Sequence, residues 1–264
     1  VIVDFTARIG ENMGKPVSEI RNEFKMADSA RRKELYSLYA DDERKGVKQL
    51  IEKAQHEDEK LLSELKRLDA MKVFERKYAV YQNIAGIDEA GRGPLAGPVV
   101  AASVILPVDC EILYLDDSKK LSAARREQLY DEITRKAAAY GVGIISAGRI
   151  DEINILQATY EAMQAAIEDM GEEPGMVLVD AVTIPKIKYK QAGIIKGDAC
   201  SVSIAAASII AKVTRDRIMM DFDQIYPGYG FASHKGYGSK AHIEAIKEYG
   251  PCPLHRKTFI KKFV

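Results

Sequence analysis

The stretch that decides the fold reads Gly86-Ile87-Asp88-Glu89-Ala90-Gly91-Arg92-Gly93-Pro94. Two adjacent carboxylates end an apolar run and meet a Gly-Arg-Gly turn (residues 91–93). Carboxylate oxygens bind hard cations such as Mg²⁺, glycines let a backbone approach a ligand closely, and arginine presents a planar fork of donors to a phosphate. The stretch therefore indicates metal-assisted chemistry on a phosphate backbone.

Two further aspartates, Asp180 and Asp198, each follow an apolar, strand-like run. The sheet fixes the backbone at a strand end while the side chain faces the open edge, which suits a catalytic acid. Neighbouring residues of a regular strand point to opposite faces, so Asp88 and Glu89 share one site only if their strand ends or bulges there. The flanking glycines favour such an irregularity. Singly, each aspartate could instead cap a helix or close a turn.

Four carboxylates that converge in one partly dry cleft repel one another, so such a cluster implies bound cations. The three cysteines lack metal-ligand spacing, and carboxylate oxygens favour Mg²⁺ or Mn²⁺ over zinc. These ions suit in-line phosphoryl displacement, in which two cations roughly 3.5 to 4 Å apart activate water and neutralise the leaving oxygen. A nucleotide P-loop is excluded, because residues 86–93 lack its Gly-Lys-Ser/Thr ending.

Composition places the chain among globular proteins, since 47% of its 264 residues are hydrophobic. No apolar run approaches the roughly 20 residues needed to cross a bilayer, and residues 1–10 lack the features of a secretion signal. The cysteines are odd in number and far apart, which fits a reducing compartment. We therefore expect a cytoplasmic protein without a membrane partner, and we expect a monomer.

The net charge of zero conceals a segregation of charge along the chain. Residues 81–180 hold 8 basic and 17 acidic side chains, whereas residues 181–264 hold 14 basic and 6 acidic ones. A basic region is the electrostatic footprint of nucleic-acid binding, but an ordinary solvated surface explains the charge equally well.

Periodicity divides the chain into residues 1–77, a helical extension, and residues 78–264, an α/β domain. The extension carries apolar residues at helical spacing within a highly charged segment, with a break near Gly46 and the acids 41–43. The second part alternates between predicted strands at 83–89, 99–106, 142–147, 176–179 and 191–196 and predicted helices at 122–138, 151–170, 201–226 and 240–248. The first two strands read as a hairpin, and the alternation predicts a mixed central sheet flanked by helices.

Six motifs occur in order along the second part, at residues 86–98, 117–122, 178–181, 196–199, 211–217 and 234–238. Together they resemble the bacterial type 2 ribonucleases H, the ribonuclease HII family, over about residues 82–259. The resemblance implies the ribonuclease H-like fold and cleavage of RNA within RNA/DNA hybrids. It also implies incision on the 5′ side of a single ribonucleotide in duplex DNA, as in ribonucleotide excision repair, leaving 3′-hydroxyl and 5′-phosphate ends.

The resemblance also assigns residues. It makes the acid cluster catalytic and metal-binding, a cluster that comprises Asp88, Glu89, Asp180 and Asp198. Gly91, Arg92 and Gly93 contact the ribonucleotide and its phosphate mainly through backbone groups. Tyr237 packs at the RNA-to-DNA junction and helps to sense the 2′-hydroxyl, a role that suits an apolar platform in a glycine-rich loop.

Basic side chains in the motifs are candidate phosphate contacts, although each could instead be solvated or paired with a neighbouring acid. The candidates are Lys119, Lys120, Lys212, Arg215 and Arg217, of which Lys119 and Lys120 are preferred. Substrate binding by the helical extension is a further hypothesis. Two alternatives stay open, namely the sister family ribonuclease HIII and a non-catalytic hybrid-binding module.

Overall fold

The structure is a computed structural model that describes residues 14–264. The chain divides into two compact units, of which the first ends at Arg67 and the second runs from Leu68 to Val264. The predicted boundary between residues 77 and 78 lies further along the chain and stays a prediction. The expectation about a signal in residues 1–10 falls outside the described residues.

The described part of the first unit is helical, as predicted. It contains α1 (Val17–Met26), α2 (Ser29–Leu38) and most of α3 (Lys45–Met71). The Asp28 carboxylate caps α2 by accepting a hydrogen bond from the backbone N–H of Arg31. A small core holds the helices together through the buried side chains of Ile20, Phe24, Leu35, Tyr39, Val47 and Ala54.

A five-stranded mixed sheet forms the centre of the second unit. Its strands are β1 (Ile84–Ala90), β2 (Val99–Ile105), β3 (Ala139–Ile145), β4 (Met176–Asp180) and β5 (Gln191–Ile194). They lie in the order β3-β2-β1-β4-β5. The pairs β1–β2 and β2–β3 are antiparallel, whereas β1–β4 and β4–β5 are parallel. The predicted hairpin and mixed sheet are confirmed.

Helices cover both faces of this sheet. The helices of the second unit are α4 (Val73–Lys77), α5 (Ala123–Lys136), α6 (Ala147–Asp169), α7 (Gly197–Cys200), α8 (Val202–Ile225), α9 (Phe231–His234), α10 (Lys240–Tyr249) and α11 (Lys257–Ile260), of which α6 and α8 pack on the sheet. Helix α6 begins earlier than the predicted residue 151, because the Ser146 hydroxyl caps it there, and it is interrupted by a kink at Asn154 (φ 68°, ψ 163°). Within the described part of the chain, no helix is long and apolar enough to cross a membrane.

Alternation along β2 separates the two layers of the core. Val99 and Ala101 pack in the cluster that includes α6, whereas Ala102 and Val104 pack in the cluster that includes α5 and α8. Gly86 lies on the α8 side of β1, where an added Cβ would lie 2.1 Å from the Ser203 backbone. Only glycine therefore allows α8 to lie directly against the strand that carries Asp88.

Residues 68–77 belong physically to the second unit. Leu68 and Met71 are buried in the same core cluster as α8. One carboxylate oxygen of Glu75 accepts hydrogen bonds from the Ser201 hydroxyl (2.6 Å) and the Ser203 backbone N–H (3.0 Å) at the start of α8. This carboxylate therefore satisfies donors that the first turn of a helix leaves unpaired.

We predict that a protein beginning at Tyr78 unfolds at a clearly lower temperature than one beginning at Leu68. Deleting residues 68–77 removes two buried apolar side chains, each worth about 2–5 kcal/mol in a core. Each kcal/mol lowers the midpoint by about 2–4 °C in a unit of this size. Calorimetry of both proteins measures the difference, and equal midpoints would contradict the assignment of residues 68–77 to this unit.

Candidate active site

The structure brings the acid cluster to one region of the sheet. Asp88 and Glu89 lie in β1, and Asp180 ends the neighbouring β4. The parallel register pairs Ile87 with Val179, so Asp88 and Asp180 follow side by side on adjacent strands. Asp198 comes from the short helix α7, which follows β5.

Two expectations about these acids are wrong. The expected strand end or bulge at Asp88 and Glu89 does not occur, because these residues pair one to one with Ala102 and Ala101 in a regular ladder. Glu89 nevertheless lies close enough to interact electrostatically with Asp180 and Lys119. Asp198 does not end a strand either, since β5 stops at Ile194 and a left-handed residue, Lys196 (φ 56°), turns the chain into α7.

The acids lie in an environment that favours their neutral forms. Asp88 is 4% exposed, and burial raises its pKa well above the ordinary value, with further contributions from the charges of Glu89, Asp180 and Asp198. Burial also raises the pKa of Glu89, although Arg92 opposes the effect. The pKa of Asp198 is raised by burial and then by the nearby charges of Asp117 and Asp180.

Two basic side chains partly compensate the negative charge of the acid cluster. The Lys119 ammonium lies 3.7 Å from an Asp198 carboxylate oxygen, and the Arg92 guanidinium lies 3.4 Å from a Glu89 oxygen. Burial opposes the charge of Lys119, but the surrounding acids outweigh it and raise the pKa of its ammonium. Of the predicted phosphate contacts, Lys119 therefore lies nearest to the acids.

Asp117 is a fifth acid of this site, which sequence reasoning did not single out. Its carboxyl lies close enough to Asp198 to raise the pKa of that acid, and it accepts a hydrogen bond from the Lys119 backbone N–H at 2.9 Å. The available signal was its position beside Lys119 in the 117–122 motif.

The chemistry of these donors fits a hard divalent cation. The cluster offers carboxylate oxygens only, in a buried setting where their mutual repulsion favours a bound positive charge. As placed within residues 14–264, no group of three or more His, Cys, Asp or Glu side chains is arranged closely enough to hold a metal ion. The fit therefore concerns donor type and charge, which match Mg²⁺ or Mn²⁺.

The Gly-Arg-Gly turn directly follows β1 and is anchored from below by two buried arginines. Arg256 donates hydrogen bonds to the carbonyls of Gly91 (2.6 Å) and Arg92 (2.9 Å). The Arg215 side chain fills the space beside Gly91, whose φ is +95° and where an added Cβ would lie 2.1 Å from Arg215 Nε. Gly91 is required both for its conformation and for this contact.

Tyr237 lies beside the same turn. Its side chain is 47% exposed, and a Cβ added to Gly93 would lie 3.8 Å from the edge of its ring. Arg92 and Gly93 are themselves exposed. The turn and the tyrosine thus form one open surface at the end of the strand that carries Asp88 and Glu89.

The remaining predicted phosphate contacts differ in availability. Lys120 is exposed and pairs with Asp116 at 3.0 Å, and Lys212 pairs with Asp216 at 2.7 Å. Arg215 is 1% exposed, and its three guanidinium nitrogens donate to the carbonyls of Pro98, Lys235 and Ala96. Direct phosphate contact by Arg215 therefore does not fit the structure, which uses this residue to hold backbone.

A mixed five-stranded sheet flanked by helices, with an acid cluster beside its two central parallel strands, defines a hydrolase of the ribonuclease H class. Sequence comparison is more specific. The profile of a family described as Ribonuclease HII matches residues 85–262, and the profile of a Ribonuclease HII N-terminal domain matches residues 16–79.

Individual relatives agree with these profiles. The chain is 56% identical to the ribonuclease HII of Lachnoclostridium phytofermentans, over 94% of this chain and 98% of that protein. It is 48% identical to the ribonuclease HII of Clostridioides difficile, over 95% and 99% of the two chains. The crystal structure of ribonuclease H2 from Pyrococcus horikoshii OT3 superposes with a TM-score of 0.58 at 31% identity, covering 68% of this chain and 96% of that one.

The chain therefore belongs to the ribonuclease HII family, and it is an endoribonuclease that acts on RNA/DNA hybrids. This membership decides between the alternatives left open by the sequence. The family is ribonuclease HII rather than ribonuclease HIII, and the protein is an enzyme rather than a non-catalytic binding module. The roles of the individual residues stay predictions.

We predict that Asp88→Asn stabilises the metal-free protein while weakening its response to Mg²⁺. The substitution removes a buried negative charge that burial and three acidic neighbours disfavour. Each kcal/mol of relief raises the unfolding midpoint by about 2–4 °C. Added Mg²⁺ should raise the midpoint of the unsubstituted protein through binding to the folded state, and should raise that of the variant less.

Asp109→Asn serves as the matched control, because Asp109 is an exposed aspartate outside the cluster. It should leave both the midpoint and its Mg²⁺ response unchanged. An Asp88→Asn protein with the full Mg²⁺ response would remove Asp88 from the metal site.

Proposed function

We propose that this endoribonuclease incises duplex DNA on the 5′ side of a single embedded ribonucleotide, in addition to cutting RNA within hybrids, and leaves 3′-hydroxyl and 5′-phosphate ends. The observation that carries this proposal is the continuity of β1 with the Gly-Arg-Gly turn. The strand holds Asp88 and Glu89, and the turn that follows it presents Arg92 and Gly93 beside Tyr237. Recognition of the sugar and cleavage of its phosphate thus share one element.

In this proposal the acid cluster binds two divalent cations, Mg²⁺ or Mn²⁺, through its four carboxylates. When bound, such ions activate a water molecule and neutralise the leaving oxygen of an in-line displacement. The chain's own contribution is to fix the carboxylates: β1 and β4 hold Asp88 and Asp180, and the backbone N–H of Gly197 donates to an Asp180 oxygen at 2.7 Å. A neighbouring N–H, that of Glu89, likewise donates to Asp88 at 2.7 Å.

Selection of ribose over deoxyribose requires groups that meet a 2′-hydroxyl. The turn of residues 91–93 supplies exposed backbone N–H and C=O groups without side-chain bulk at its glycines. The half-exposed Tyr237 ring supplies a flat surface on which a sugar or base packs. We assign the reading of the RNA-to-DNA junction to these two elements together.

Phosphate binding falls to basic side chains around the cluster. Lys119 lies among the acids and offers its ammonium both to them and to an incoming phosphate. Lys120 and Lys212 are further contacts, each of which must exchange an aspartate partner for a phosphate. The substrate is an RNA/DNA hybrid or ribonucleotide-containing duplex, the protein acts as a cytoplasmic monomer, and the process it serves is ribonucleotide excision repair.

Cleavage of duplex DNA that contains one internal ribonucleotide tests the proposal. With Mg²⁺ or Mn²⁺, we expect one cut on the 5′ side of the ribonucleotide, and no cut in all-DNA duplex. Asp88→Asn should reduce turnover by at least about 10³-fold, because the reaction loses a metal ligand, while hybrid binding stays near its original strength. Cutting only within long RNA runs would contradict the single-ribonucleotide specificity.

We further propose that the helical first unit contributes to substrate binding. Its role is tested by a protein that begins at Leu68, since residues 68–77 are needed by the second unit itself. This protein should retain metal-dependent cleavage but bind hybrid more weakly, with a raised KM and a similar kcat. An unchanged KM would remove the first unit from substrate binding.

A further inference from the structure

Three separate segments of the second unit meet beneath the Gly-Arg-Gly turn. Ala96 and His255 form an antiparallel bridge, flanked by hydrogen bonds from Gly97 N to Leu254 O and from Arg256 N to Leu95 O, both 2.8 Å. On the other side, the backbone N–H of Leu95 donates to the carbonyl of Gly236 at 2.8 Å. Residues 95–97 therefore connect the segment 254–256 with the segment that carries Tyr237.

Arg256 determines which way the turn faces. This side chain is 0% exposed, and besides Gly91 and Arg92 it binds the carbonyl of Gly97 at 3.0 Å. In a trans peptide the N–H points opposite to the C=O. The inward carbonyls of Gly91 and Arg92 thus direct the N–H groups of Arg92 and Gly93 outward, toward a ligand.

His255, the neighbour of Arg256, begins a chain of hydrogen bonds that ends at Tyr237. The Cys252 N–H donates to His255 Nδ1 at 3.0 Å, His255 Nε2 lies 3.0 Å from His242 Nε2, and His242 Nδ1 lies 2.9 Å from the Tyr237 carbonyl. A carbonyl only accepts, so His242 carries its proton on Nδ1 and accepts at Nε2. His255 must then carry its proton on Nε2, which matches its acceptance from Cys252 at Nδ1.

This relay requires the His242 imidazole to be neutral. An extra proton on its Nε2 would face the N–H of His255 across 3.0 Å. On the other side, His255 Nδ1 lies 3.0 Å from the Cys252 N–H and 3.3 Å from the Cys252 carbonyl. Burial is the main cause that lowers the pKa of His242 to about 4, and His234 and His255 add to the effect. Burial, followed by His234, also lowers the pKa of His255. Both rings are almost fully buried, at 0% and 3% exposure, so their hydrogen bonds are not exchanged with water.

We propose that His255 and Arg256 form one positioning unit for substrate recognition: Arg256 orients the Gly-Arg-Gly turn, and His255 acts through His242 to hold the backbone of Tyr237 beside it. This inference rests on the recognition role proposed above for the turn and for Tyr237. Neither His255 nor His242 touches the exposed surface, so both act through Tyr237. Their effect is to fix the distance between the turn of residues 91–93 and Tyr237, the two elements proposed to contact the ribose.

The protonation pattern is tested without substrate. The chain contains four histidines, so the ring nitrogens can be assigned by nuclear magnetic resonance with single His→Gln variants. At neutral pH we expect the Nδ1–H form for His242 and the Nε2–H form for His255. The opposite form at either ring, or a charged His242 ring, would overturn the relay.

Two substitutions of His242 separate its two hydrogen bonds. His242→Asn places an amide donor near the position of Nδ1 and can keep the Tyr237 bond, whereas His242→Gln reaches the position of Nε2 and keeps only the His255 side. Both variants lose similar ring volume. We expect kcat/KM on the single-ribonucleotide duplex to fall about tenfold in His242→Gln, as for one lost hydrogen bond, and less than about threefold in His242→Asn.

Combination with Tyr237→Ala distinguishes positioning from a general loss of stability. If His242 acts through Tyr237, His242→Gln has no further effect on kcat/KM in the Tyr237→Ala protein, because the two effects are not additive. Equal losses in His242→Asn and His242→Gln, or full additivity with Tyr237→Ala, would overturn the proposal. The comparison can be made on continuous RNA/DNA hybrid as well, so failure to incise a single ribonucleotide would refute the proposed function alone.

Arg256→Lys tests the other half of the unit, since lysine keeps the charge but not the fork of donors. We expect a loss of kcat/KM of at least about tenfold, with the Mg²⁺-induced rise in unfolding midpoint retained. Arg135→Lys is the matched control, because Arg135 is an exposed arginine in α5, outside the predicted site, and it should behave like the unsubstituted protein. Unchanged cleavage by Arg256→Lys would overturn its assigned role.

Discussion

The Asp88 carboxyl lies almost fully buried in the central sheet, where little water screens its repulsion from Glu89, Asp180 and Asp198. A chain that holds acids this closely must fix their backbones by other means. The ladder between β1 and β4 does so, and apolar clusters on both faces of the sheet hold that ladder in place. Gly86 completes the arrangement by letting α8 lie directly against the strand. The fold thus holds unfavourable negative charge at a point where a bound cation would relieve it.

The two buried arginines are stabilised differently from the buried acids. Arg215 and Arg256 are as deeply buried as Asp88, yet they bind main-chain carbonyls rather than the acids nearby. An ion pair with the cluster would neutralise carboxylates that a cation needs, and breaking such a buried pair is strongly destabilising. Carbonyl oxygens satisfy the guanidinium donors and leave the acids available. In return, each arginine fixes the main chain of the loops whose carbonyls it binds.

The sequence was sufficient where local pattern and chemistry agree. The hairpin of β1 and β2 and the mixed sheet follow from the apolar runs and the turns between them, and Asp180 ends its strand as predicted. The structure also places the four acids close enough to interact, although Asp198 comes from a helix and not from a strand end. Contacts between distant segments could not be read in this way. The motif that contains Arg215 predicts a phosphate ligand, but its guanidinium donates hydrogen bonds to the carbonyls of Ala96 and Pro98 instead. The sequence around His242 and His255 does not predict their hydrogen bond, because it forms only when two separate segments come together in the fold.

The limits of the N-terminal domain show the same dependence on long-range contacts. The family profile assigns residues 16–79 to this domain, whereas compactness places residues from Leu68 onward in the catalytic unit. Glu75 explains the difference, because its carboxylate holds Ser201 and Ser203 at the start of α8. Ser201 directly follows α7, the short helix that carries Asp198. A residue of the N-terminal sequence domain therefore fixes the backbone next to Asp198, a member of the acid cluster, so the limits of the sequence domain do not coincide with the limits of the compact unit.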